Sequence, residues 1–214
     1  MLPEQEQFAR QVGEMGIGDG MTIVVYDGMG LFSAPRVRWT FRTFGATDVR
    51  ILDGGMPKWR AEGRALEQGT PARRTPRNFT ARFDRSAVAD VSDVRRALES
   101  GSAQVVDARP ADRFKGDAPE PRPGLSSGHM PGALNLPFAA IIENGQLKDA
   151  GAIADALKAA GIDTSQPIIT SCGSGVSAAI LSTALEMAGK PARALYDGSW
   201  AEWASQPGAD IRKG

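Results

Sequence analysis

Apolar and polar positions along the chain follow an order that occurs twice. Thr22-Ile23-Val24-Val25 is a short, β-branched run that leads into Tyr26-Asp27-Gly28-Met29-Gly30, a helix-like stretch, and a second apolar run, Val49-Arg50-Ile51-Leu52, ending in Asp53-Gly54-Gly55 and Trp59. The order returns as Pro167-Ile168-Ile169-Thr170, then Ser171-Cys172-Gly173-Ser174-Gly175, an apolar helix-like run, Ala194-Leu195-Tyr196-Asp197-Gly198-Ser199 and Trp203. Asp27 aligns with Cys172 at an offset of 145, whereas Ser33, Asp53 and Trp59 align with Ser177, Asp197 and Trp203 at 144, so the second copy's loop is one residue shorter. A period of this length is too long for a solenoid and reads as two copies of one α/β unit.

The second copy has an upstream part that the first does not show. Ala103-Gln104-Val105-Val106-Asp107 has the character of a buried parallel strand. After it come a Gly/Pro-rich segment from Gly116 to Gly132, a strand-like run at Ala133-Leu134-Asn135-Leu136, and a helix near Ala150 to Ala160 closed by Gly161. The matching part of the first copy, about 60 residues by comparison of the two copies, would lie before residue 1; the other reading is a smaller, divergent first copy. Strands that alternate with helices predict parallel sheets with helices on both faces. The expected organisation is a partial first domain over 1–70, a linker over 71–80 within the Pro-, Arg- and Thr-rich stretch, and a complete second domain over 81–214. In such sheets ligands bind outside the carboxyl ends of the strands, and Cys172 falls there.

Composition narrows the class. Lys plus Arg and Asp plus Glu are 25 each, so there is no basic footprint for a nucleic-acid partner. No apolar run approaches the ~20 residues of a membrane span. Met1-Leu2-Pro3-Glu4-Gln5-Glu6 has no basic or apolar export signal, and one cysteine can form neither an internal disulfide nor a thiolate metal cluster, so a reduced, cytoplasmic setting is expected.

Cys172 is placed by the pattern at a strand-to-helix turn. Gly173 and Gly175 let backbone N–H groups turn inward as an anion-binding nest, and the helix beginning near Val176 and Ser177 adds the positive end of its dipole. Both favour thiolate over thiol. Three rival readings fit less well. Gly173-x-Gly175-x-x-Ala178 matches a dinucleotide fingerprint, with Asp197 24 residues beyond Gly173, but only 17 residues follow Asp197, too few for the further strands of such a fold. A cysteine phosphatase loop needs an arginine to clamp phosphate, and 173–177 contains neither Arg nor Lys. For a Cys-His hydrolase the single histidine, His129, stands in a Gly-His-Met-Pro-Gly turn.

Taken together, Asp107-x-Arg109, Gly128-His129-Met130-Pro131-Gly132-Ala133, Cys172-Gly173-Ser174-Gly175-Val176-Ser177-Ala178 and Tyr196-Asp197-Gly198-Ser199-Trp200-x-Glu202-Trp203 resemble two-domain rhodanese-type sulfurtransferases over essentially the whole chain. Within that group the Cys-Gly-Ser-Gly-Val loop is most similar to 3-mercaptopyruvate sulfurtransferases, because thiosulfate-using members carry basic residues after the cysteine. The difference has a physical sense: thiosulfate is a dianion, while mercaptopyruvate has one carboxylate away from the sulfur that moves.

The resemblance implies a two-step reaction without metal or organic cofactor. Cys172 takes sulfur from the small-molecule donor as a persulfide, cradled by the N–H groups of 173–177, and passes it to a thiol, a thioredoxin-like dithiol or cyanide. Arg113 and Arg122, nine residues apart on the Gly/Pro-rich loop, correspond to the arginines that bind the donor's carboxylate and keto oxygen. Ser174 corresponds to a serine that relays protons. The family's acid/base histidine and an aspartate come from the first half of its N-terminal domain, for which this sequence has no counterpart. The alternatives are a thiosulfate sulfurtransferase and a non-catalytic module or persulfide carrier.

Overall fold

The computed structural model describes all residues, 1–214. The chain divides into two units, the first comprising Leu2–Arg85 with the turn 144–146, and the second Ser86–Glu143 with Leu147–Gly214.

In the first unit the order is α1 (Gln5–Glu14), β1 (Ile23–Val25), α2 (Ala34–Thr43), β2 (Val49–Ile51) and α3 (Gly55–Ala61). β1 and β2 pair in parallel with Ile23 opposite Val49, as the two apolar runs predict. Ile23 and Val25 face inward onto Phe8, Phe41, Phe44 and Phe79, while Val24 and Tyr26, on the alternate face, are exposed. Phe8 stacks on Phe44 with ring centroids 4.3 Å apart and meets Phe41 edge-on, packing that aromatic pairs prefer. The stretch read as a linker has no helix or strand, but its end is anchored. Phe79 is buried, Thr80 N–H donates to the Asp19 carboxylate, and Arg82 N–H to the Phe44 carbonyl.

The second unit continues with β3 (Val88–Ala89), α4 (Val91–Ser100), β4 (Gln104–Asp107), α5 (Ala111–Lys115), β5 (Leu134–Asn135), the hairpin strands β6 (Ile142–Glu143) and β7 (Gln146–Leu147), α6 (Ala150–Ala159), β8 (Ile168–Ser171), α7 (Val176–Met187), β9 (Ala194–Tyr196) and α8 (Ser199–Trp203). Five of its strands form a parallel sheet in the order β3-β9-β8-β4-β5. Its central strands are buried on both faces, the reason they read as continuous apolar runs. Val105 and Ile169, opposite each other, pack with Val94, Ala97, Trp200 and Trp203 from α4 and α8. On the other face α7 packs on β8 and β9 and α6 packs on α7. Thr170 Oγ1 is 2.8 Å from Ser182 Oγ of α7.

Local signals set the helix ends. Asp90 caps α4 in a reciprocal capping box with Asp93, Asp149 caps α6, and Gly101 and Gly161 end α4 and α6 at positive φ. β3 and the β6–β7 hairpin were not legible as elements, because two-residue strands carry no periodicity. No helix is long and apolar enough to cross a membrane.

Candidate active site

β4, β8 and β9 run in the same direction, so the turns after Asp107, Ser171 and Tyr196 meet at one edge of the sheet. Cys172 follows β8 directly and is buried, with 1% exposure. Its sulfur faces two backbone N–H groups, Gly175 at 3.1 Å and Ser174 at 3.5 Å. Gly175 turns the chain into α7 with φ of 80°, a conformation that a side chain resists, and this turn aims its N–H at the sulfur. The loop therefore offers hydrogen-bond donors and helix-dipole charge to a sulfur anion.

The backbone of the cysteine is held from the other side by the start of α8. Trp200 N–H donates to the Cys172 carbonyl at 2.8 Å and Ala201 N–H to the Gly173 carbonyl at 3.1 Å. Ser199 Oγ accepts from the Cys172 N–H at 3.2 Å and donates to the Tyr196 carbonyl at 2.8 Å. Ser199 is buried and sits at φ 51°, an uncommon conformation for a residue other than glycine. In the first copy the residue at the equivalent place is Gly55, with φ 53°, and Met56 N–H donates to the Asp27 carbonyl just as Trp200 does to Cys172.

The third element is a row of charges after β4. Asp107 Oδ2 lies 2.8 Å from both Nε and Nη2 of Arg109, whose side chain is 1% exposed and stacks 4.4 Å over the Trp200 ring. Arg109 also donates to the Gly128 carbonyl at 2.9 Å and, from Nη1, to Glu120 Oε1 at 2.8 Å. The Glu120 carboxylate, 2% exposed, in turn accepts from Arg113 Nε at 3.2 Å and pairs closely with Arg113 Nη2. Arg113 reaches the cysteine loop: a Cβ added to Gly173 would lie 3.1 Å from its Nη2.

Among the residues singled out from the sequence, Cys172, Gly173, Ser174 and Gly175 form the turn, Val176 and Ser177 open α7, and Arg113 stands beside the turn. The Ser174 side chain is half-buried. Arg122 lies two residues beyond Glu120, exposed and without an ion pair. His129 stacks on Phe114 with centroids 4.1 Å apart and its Nδ1 is 2.9 Å from the Phe114 carbonyl, the arrangement of a turn residue. No three or more His, Cys, Asp or Glu side chains are grouped to hold a metal ion. Two residues at the site, Glu120 and Ser199, escaped the sequence reading. The signals were an acid set between two arginines and a serine aligned with a glycine of the other copy.

The rhodanese-like domain model matches residues 1–62 and 90–206. The chain belongs to the rhodanese family. It is 44% identical over 207 residues to 3-mercaptopyruvate sulfurtransferase of Escherichia coli (strain K12), an alignment that covers 96% of this chain and 73% of that protein. It is 40% identical to a thiosulfate sulfurtransferase of Cricetulus griseus, with 99% of this chain and 72% of the relative covered. The crystal structure of SseA from Escherichia coli, described as a 3-mercaptopyruvate sulfotransferase, superposes with a TM-score of 0.84 at 41% identity, over 94% of this chain and 74% of that one. The rhodanese fold thus accounts for the parallel sheet and for the cysteine turn at its carboxyl edge.

Proposed function

We propose that this rhodanese-family chain is a sulfurtransferase that takes sulfur from 3-mercaptopyruvate through a persulfide on Cys172. The observation that carries the reading is the pair of N–H groups facing Cys172 Sγ, beside the Arg113 guanidinium that Glu120 holds next to Gly173.

In the first half-reaction the Cys172 thiolate attacks the donor's thiol sulfur. An S–S bond forms, the C–S bond breaks, and its electron pair passes to the carbon as pyruvate enolate. The proton from the donor's thiol ends on that carbon, so the products are pyruvate and a Cys172 persulfide anion. Ser174 lies beside the sulfur and is suited to relay that proton. The loop N–H groups of 173–177 hold the outer sulfur's charge, while Arg113 and Arg122 bind the donor's carboxylate and keto oxygen. In the second half-reaction an acceptor thiol attacks the outer sulfur and Cys172 leaves as thiolate. A thioredoxin-like dithiol then closes to a disulfide with release of hydrogen sulfide, and cyanide leaves as thiocyanate. Ping-pong kinetics follow. The work of a single reduced thiol suits a reducing compartment, and we place the reaction in the cytoplasm, on small-molecule donors.

The 40% identity to a relative named as a thiosulfate sulfurtransferase favours thiosulfate as the second donor to test. The turn 173–177 has no cation for a sulfonate, which weighs toward mercaptopyruvate. The test is the intact mass of the folded chain after brief exposure to each donor, with a reductant control. A reducible gain of one sulfur, greater with mercaptopyruvate, is the expected result. No gain from either donor would reduce the chain to a carrier loaded by another protein.

A further inference from the structure

Glu120 is a buried acid placed between two arginines, one of which reaches the nucleophile's loop. It accepts from Arg109 Nη1 at 2.8 Å and from Arg113 Nε at 3.2 Å, and it pairs closely with Arg113 Nη2. Its carboxylate is 2% exposed, against 22% for the Arg113 side chain. Two consequences follow from this geometry. The Nε/Nη2 edge of Arg113 is committed to Glu120, which fixes the planar guanidinium beside Gly173 and leaves Nη1 for a ligand. The four buried or half-buried charges, Asp107, Arg109, Glu120 and Arg113, also cancel. Asp112, Lys115 and Asp117 on the same stretch are not buried, and salt screens them. Arg122, likewise exposed, makes no ion pair.

We infer that Glu120 is a positioning and specificity-determining residue that makes the site select donors with a single negative charge. This rests on the sulfurtransferase reading above. A monoanionic carboxylate needs directed N–H donors, which a fixed Arg113 supplies. A dianion such as thiosulfate gains most from net positive charge in a low-dielectric site, and Glu120 removes that charge.

The test compares kcat/KM for mercaptopyruvate and thiosulfate in Glu120→Gln and Glu120→Asp. Glu120→Gln deletes the charge and frees Arg113, so the mercaptopyruvate-to-thiosulfate ratio should fall at least about fivefold, through a raised KM for mercaptopyruvate and a gain in thiosulfate use. Glu120→Asp keeps the charge but falls short of Arg113. Its KM for mercaptopyruvate should rise about threefold, with the donor ratio kept within about twofold. An unchanged ratio in folded Glu120→Gln, or an equal shift in Glu120→Asp, overturns the inference. Should Glu120→Gln fail to fold, salt dependence in the native protein decides: a neutral set predicts less than about a threefold change in mercaptopyruvate kcat/KM between low and physiological salt, and a steeper loss overturns it. Absence of sulfur uptake from either donor sinks the functional reading itself, whereas uptake from mercaptopyruvate with an unmoved ratio sinks this inference alone.

Discussion

Cys172 occupies in the second unit the place that Asp27 occupies in the first. Each follows a parallel strand, each has its carbonyl bonded by an N–H at the start of the helix after the next strand, and each side chain accepts N–H groups of its own turn. One scaffold thus presents the same anion-binding turn twice, once to a carboxylate and once to a sulfur. Replacing Cys172 by Ser keeps the size of the group but removes the sulfur nucleophile. Cys172→Ser should unfold within about 1 kcal/mol of the native protein, while the sulfur gain seen by intact mass disappears. Sulfur uptake in that variant would end the proposed mechanism.

The Asp27 turn makes an acid-side prediction. Burial opposes ionisation of Asp27, yet the N–H groups of Ala34, Phe32, Met29 and Ser33 outweigh it and hold the carboxyl below its usual range. A folded value below the unfolded one contributes stability that is present above about pH 4, the unfolded range, and is lost as pH falls through the depressed value. Asp27→Asn should therefore destabilise the protein by about 1 kcal/mol near neutrality, a modest figure because water reaches the group. Urea titrations at descending pH should show the gap between variant and native protein closing below pH 4, and a gap independent of pH would mean that the charge is not what the turn holds.

Much of this was readable in the sequence because burial on both faces leaves its mark. Ile168-Ile169-Thr170 and Val105-Val106 are strands between two helical layers, and their apolar runs say so. The Cys172 turn was readable from its glycines and from the internal repeat. Glu120 was not, because its role depends on contacts with Arg109 and Arg113 that arise only when a Gly/Pro-rich loop without periodicity folds back on the sheet edge. Ser199 was obscured by its neighbours, since a serine at a helix start ordinarily reads as a cap, whereas here its hydroxyl bonds the nucleophile's backbone.

Arg122 differs from Arg113 in having no acid to fix it. If it clamps the donor's carboxylate, Arg122→Lys loses the planar fork but keeps the charge. The KM for mercaptopyruvate should rise about three- to tenfold with little change in thermal stability, since an exposed, unpaired side chain contributes little to folding. Unchanged donor kinetics would remove Arg122 from the site.

Ser199 offers a test in which folding and chemistry separate. At φ 51° it occupies the left-handed region, which disfavours a residue with a Cβ by roughly 1–2 kcal/mol. Its hydroxyl offsets that strain by accepting from the buried Cys172 N–H and donating to the Tyr196 carbonyl. At the equivalent Gly55 no side chain is possible, since a Cβ there would lie 2.6 Å from the Gly30 carbonyl oxygen and 2.8 Å from that of Asp27. Ser199→Ala keeps the strain and leaves a buried N–H without its acceptor, so it should lose about 2–3 kcal/mol. Ser199→Gly loses the same hydrogen bonds but relieves the strain, and should recover about 1 kcal/mol of that loss. Both should form the Cys172 persulfide several-fold more slowly at a temperature where both are folded, because the nucleophile's backbone loses one of the bonds that place its sulfur against the N–H groups of Ser174 and Gly175. Equal stabilities for the two variants would refute the strain argument, and native rates of sulfur uptake in the glycine variant would show that the hydroxyl serves the fold alone.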